Sequence, residues 1–77
     1  MPVVETEKSE ILELLGVLGA NAQKVDVDHH LGYGLLIGSR RIDPFIDQDA
    51  CVRYLKAIHE LVASNKLVER RGIWFLA

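Results

Sequence analysis

The sequence predicts a small α+β domain, helices followed by a C-terminal β-hairpin, on three observations. Near the N-terminus Ile11, Leu14, Leu15 and Leu18 recur at spacings of three and four, one apolar helical face. A longer stripe, Cys51, Leu55, Ile58 and Val62, follows the helix-start pair Asp43-Pro44. Two β-prone runs, 66–70 and 73–76, flank the turn Arg71-Gly72. With 77 residues the chain reads as one domain over 1–77, residues 1–6 forming a loose lead-in.

Each element has its own justification. A first helix over 7–18 takes Thr6 as N-cap, with Glu7 and Glu10 near the positive end of its dipole. Gly16 weakens that helix by up to ~1 kcal/mol, and Gly19 suits the left-handed residue that closes it. Val25 and Val27 alternate with Lys24, Asp26 and Asp28, which predicts a short extended segment. The four-residue repeat Val27, Leu31, Leu35 favours a second helix over 29–37 capped by Asp28. Gly32, Gly34 and Gly38 equally allow a buried strand over 33–37. Pro44 to Ile46 reads as a short turn, with Asp47 capping the main helix over 48–64 and Asn65 ending it. Tyr54 and Leu61 flank the stripe of that helix, and Asp49, Arg53, Lys56 and Glu60 take the opposite side. Arg71-Gly72 as a two-residue loop places Val68 opposite Phe75 and Glu69 opposite Trp74, although Arg71 does not readily adopt positive φ.

Composition excludes several classes. An apolar fraction of 49% with 26% charged residues is a globular balance rather than that of a disordered tail. The stretch 31–38 is the longest uncharged apolar run and falls far short of the ~20 residues that span a bilayer. With no basic segment leading into an apolar run at the N-terminus, the expectation is a soluble, cytoplasmic protein without membrane contact. The single cysteine, Cys51, makes no internal disulfide, and no Cys/His spacing suits zinc. A core this small supplies ~3–5 kcal/mol, which favours a homodimer.

The net charge of −2 is unevenly distributed. Residues 1–38 carry two basic against six acidic side chains, and residues 39–77 seven basic against five acidic. A basic C-terminal half marks either a polar partner or an ordinary solvated surface.

Residues 43–77 form a capped amphipathic helix that leads through Leu61-Val62-Ala63-Ser64-Asn65-Lys66-Leu67-Val68-Glu69-Arg70-Arg71-Gly72 into a closing strand. This pattern resembles the recognition helix and wing of winged-helix (winged helix-turn-helix) proteins, and the earlier helices fit the same order. The resemblance implies a helix face of Gln48, Asp49, Arg53 and Lys56 in the major groove. It implies a wing of Lys66, Arg70 and Arg71 on phosphate or minor groove. The function expected from it is a non-enzymatic binding module, a small DNA-binding regulator of transcription that engages duplex DNA through its basic half. Asp49 and Glu60 on the groove face, together with the acidic total, suit the alternative of a protein-interaction or dimerisation module without nucleic acid.

Other chemistry receives plainer readings. Asp26-Val27-Asp28-His29-His30 has metal-ligand residue types, but adjacent helical residues point ~100° apart, and a solvated helix cap accounts for it without a metal. Gly32-Tyr33-Gly34 and Gly38 fit neither a dinucleotide nor a Walker spacing and read as close backbone packing. Cys51 lies on an apolar stripe and His59 beside it, so neither is expected to act as nucleophile or base, and no enzyme activity, cofactor or small-molecule substrate is predicted. Arg40-Arg41, placed in a loop, is a solvated pair or a contact for phosphate or an acidic partner. Alternation puts Val68, Ile73 and Phe75 on one hairpin face and Leu67, Trp74 and Leu76 on the other. Leu67, Trp74 and Leu76 are the expected dimer interface, with the closing strand as a free edge.

Overall fold

Seven elements follow one another: α1 (Glu5–Leu15), β1 (Ala22–Asp28), β2 (Gly32–Ile37), β3 (Arg40–Ile42), α2 (Gln48–Ala63), β4 (Leu67–Arg70) and β5 (Ile73–Leu76). The computed structural model describes residues 4–28 and 32–77. The strands form one five-stranded sheet in the order β3-β2-β1-β5-β4, with every pairing antiparallel. The chain is thus a small α+β domain with two helices on one face of an antiparallel sheet.

The core lies between those layers. Ala22, Leu35, Ile37, Ile42, Leu67 and Trp74 from the sheet meet Ile11 and Leu15 of α1 and Tyr54, Ala57, Ile58 and Leu61 of α2, with Val4 buried at the start of α1. Burial of these side chains is the main term that stabilises so short a chain.

Local signals place several elements as expected. Asp47 is extended and accepts a hydrogen bond from Ala50 N at 3.0 Å, and Asp43 Oδ1 accepts from Phe45 N at 2.9 Å in the turn before it. Asn65 closes α2 with φ 64°. The hairpin register pairs Val68 with Phe75 and Glu69 with Trp74. Arg71 does adopt positive φ (55°), followed by Gly72 at 79°, because the two-residue turn must match the twist of its strands.

Other expectations are corrected. The first helix begins at Glu5 with Val4, not Thr6, as N-cap, because burying Val4 in the core draws the chain into the helix earlier. It ends at Leu15, so Leu18, expected on the buried face, is fully exposed in the following turn. The second helix, favoured over 29–37, is absent where residues 32–37 are described: Gly32–Ile37 is a strand paired with both β1 and β3. Residues 29–31 of that expectation lie outside the described residues. Arg40 and Arg41 stand in β3 rather than in a loop. On α2 the buried stripe is Tyr54, Ala57, Ile58 and Leu61, with Cys51, Leu55 and Val62 packed at its margin. The stripe is turned because α2 packs against α1 and the sheet together.

Candidate functional site

Strand alternation assigns the two faces of the sheet. Ala22, Leu35, Ile37, Ile42, Leu67 and Trp74 face the helices. On the opposite face stand Gln23 and Val25 of β1, Leu36 of β2, Arg41 of β3, Val68 and Arg70 of β4, and Ile73 and Phe75 of β5. An open antiparallel face is ordinarily polar. Here the pattern is inverted. Lys24, Arg40 and Glu69 lie at the margin of the helix side, while Val25, Leu36, Val68, Ile73 and Phe75 occupy the open face. These five are half-buried, and none belongs to the core or to the side chains packed on it. A concavity of about 480 Å³ lies at the β4–β5 end, lined by Val68, Arg70, Ile73 and Phe75 among others.

One row crosses all five strands. Arg41 is opposite Leu36, Leu36 opposite Gln23, Gln23 opposite Ile73, and Ile73 opposite Arg70. The middle of the row is apolar with one amide, and a guanidinium stands at each end. Both arginines are exposed.

The expected dimer residues fall differently from their reading in the sequence. Leu67 (1% exposed) and Trp74 (3%) lie in the core under α1 and α2, and only Leu76 is exposed, at 40%. The hairpin alternates as expected, but the helices cover the face that was expected to remain open. Trp74 also makes an edge contact with the His59 ring, centroids 6.4 Å apart. The closing strand β5 is interior, paired on both sides, and the free edges are β3 and β4. Arg40 and Arg41 on one edge and Glu69 and Arg70 on the other are charges that discourage strand-to-strand pairing.

The residues expected to bind nucleic acid do not converge on one surface. Arg53 lies in the helical layer with its Nε 3.5 Å from Glu7 of α1. Lys56, on the same helix, is near enough to Glu60 to help lower the pKa of that carboxyl. Lys66 and Arg71 are exposed at opposite ends of β4, and Arg70 points away from the helices. Carboxylates of both helices take up further cations: Lys8 Nζ lies 2.7 Å from Glu60 of α2 and 3.3 Å from Glu5 of α1, and Arg40 pairs with Glu10. Arg40 also sits 5.3 Å from the centre of the Tyr54 ring. The Arg40-Arg41 pair is therefore divided, one residue binding the helical layer and the other facing outward.

The Cys51 thiol has its pKa raised by burial and secondarily by Asp43, which disfavours the thiolate. Its Sγ lies 3.9 Å from the Tyr33 carbonyl oxygen, to which it donates. Among the described residues no three His, Cys, Asp or Glu side chains gather as metal ligands, and His29 and His30 lie outside those residues. Also among the described residues, no helix is long and apolar enough to cross a membrane.

Reading the sequence missed Val25, Leu36 and Arg41 as parts of this face. The available signal was the alternation Val25/Val27, whose partners become visible only once β2 is a strand. Compared with protein-family models, curated proteins and solved structures, the chain matches none.

Proposed function

We propose that the chain is a non-enzymatic protein-interaction module that works through the open face of its sheet. The observation carrying this reading is the inverted polarity of that face: five large apolar side chains stand where an uncovered sheet ordinarily presents polar ones. The DNA reading drew on a winged-helix likeness. That likeness was strongest over residues 43–77 and also drew on a middle helix over 29–37, of which residues 32–37 belong to a strand. The helix meant for the groove also spends Arg53 on Glu7.

Titration of the isotope-labelled chain with an uncharged, leucine-faced amphipathic peptide tests the proposal. Amide shifts should move at Val25, Leu36, Val68, Ile73 and Phe75, and duplex DNA should give no salt-dependent electrophoretic retardation. Retardation that weakens steeply with salt, with an undisturbed sheet face, would return the function to nucleic-acid binding.

A further inference from the structure

Resting on that reading, we infer that the open face receives an acidic amphipathic helix of a partner protein, seated along the central strands with carboxylates on both flanks. Charge complementarity selects this occupant. Along the row that crosses the five strands the only ionisable side chains are Arg41 and Arg70, one on each edge strand. Among the described residues neither has an ion-pair partner. The rest of the row between them is Leu36, Gln23 and Ile73.

The dimensions agree with a helix. Four interstrand gaps separate the two arginine Cα atoms by about 19 Å, and a helix with its side chains is about 10–12 Å across. A helix over β2, β1 and β5 thus leaves about 4 Å on either side, within reach of an arginine. Its apolar stripe would rest on Leu36, Val25, Ile73 and Phe75. The planar guanidinium groups at the rim would each take a carboxylate in a two-pronged hydrogen bond, a geometry that lysine or an uncharged residue does not offer.

Two other occupants fit less well. A second copy laid face to face would bring the arginine ends of the two rows together, a repulsive arrangement. Duplex DNA would set five apolar side chains against a polyanion.

The test uses the full chain and three synthetic peptides of about 15 residues, the helical length that matches a seven-residue strand such as β1. All three share one leucine face, and their flanks carry glutamate, glutamine or lysine. Fluorescence anisotropy should show the glutamate peptide binding about tenfold or more tighter than the lysine peptide, with an advantage that shrinks in salt. The double variant Arg41→Glu/Arg70→Glu should reverse that order, and Arg41→Gln/Arg70→Gln should abolish it, so the result does not depend on one variant folding. Equal affinity for all three peptides at this face would overturn the acidic preference and leave the interaction module standing. No binding of any peptide would overturn both. Self-association through this face in sedimentation, or DNA retardation lost in the double glutamine variant, would overturn the inference in favour of a second copy or nucleic acid.

Discussion

Tyr54 of α2 donates its hydroxyl to the Glu10 carboxylate of α1. The bond joins residues 44 positions apart in sequence and is partly buried, and Glu10 also binds Arg40 of β3. Both helices and an edge strand are thereby tied at one point. Tyr54→Phe keeps the ring beneath Arg40 and removes only the hydroxyl. It should lower stability by about 1.5 kcal/mol, the low end for a hydrogen bond to a charged group, because Glu10 keeps some solvent. A double-mutant cycle with Glu10→Gln, read by urea denaturation, should show the two losses to be coupled. Additive losses would mean that the bond contributes nothing of its own.

The Lys8–Glu60 pair sets a pH dependence with a definite sign. The Glu60 carboxyl is held below its ordinary pKa, chiefly by its hydrogen bond from Lys8, and the Lys8 ammonium is raised, chiefly by the same bond. The lowered carboxyl stabilises the fold above its unfolded pKa, and that share is lost as pH falls through the folded value. The raised ammonium stabilises the fold below its unfolded pKa, and that share is lost as pH rises through the folded value. Glu60→Gln should therefore flatten the acid limb of the urea midpoint against pH, and Lys8→Met should flatten both limbs. Added salt should shrink these differences, since both groups meet solvent. An acid limb unaltered by Glu60→Gln would assign acid sensitivity to other carboxylates.

Ile58 is fully buried, whereas Leu55 packs at the margin of the core. Ile58→Ala should cost ~2–5 kcal/mol through lost burial and the cavity it leaves. Leu55→Ala should cost roughly half as much, because its site opens to solvent and creates less void. Thermal melts of the two variants check the order. A larger loss at Leu55 would mean that α2 is rotated from the face described.

Arg71 occupies the left-handed region at φ 55°, where a side chain of its kind is disfavoured. Arg71→Asn gives the Asn-Gly turn favoured in two-residue hairpins and should raise stability by about 0.5–1 kcal/mol. An unchanged or lowered melting temperature would count against this turn geometry.

Gly38 presents the opposite case. Its φ is +59°, and a Cβ there would lie 3.1 Å from the Leu14 carbonyl oxygen. Its N–H also donates to Asn21 O at 2.8 Å, so the turn cannot move away freely. Gly38→Ala should cost about 1–3 kcal/mol through the strained backbone and the close contact. A variant as stable as the parent in urea would show that α1 does not lie so near this turn.

What could be read from the sequence was whatever neighbouring residues decide. Asp43 and Asp47 each satisfy a backbone N–H two or three residues on, so the turn and the start of α2 are written within a few positions. Asn65, Gly72 and the hairpin register are local in the same sense. The second strand was legible only as the alternative to a helix, a buried strand over 33–37 that local residues could not select. Leu35 continues a four-residue helical repeat, yet it is buried as a strand residue between Lys24 and Ile42, partners 11 and 7 positions away.

The candidate site was decided almost wholly by tertiary structure. The sequence alone determined that the hairpin has two apolar faces, since a strand period of two separates Leu67 and Trp74 from Val68, Ile73 and Phe75. It carried no information on which face the helices cover. That choice depends on β5 pairing with β1, which sets Ala22 beside Trp74 beneath α1 and α2 and turns Phe75 outward. The same pairing, with β3 on β2, aligns Arg41 and Arg70 at the ends of one row although 28 residues separate them. Local propensity fixes the alternation along each strand, whereas the face that becomes core is settled by burial of apolar area, a property of the assembled sheet and helices.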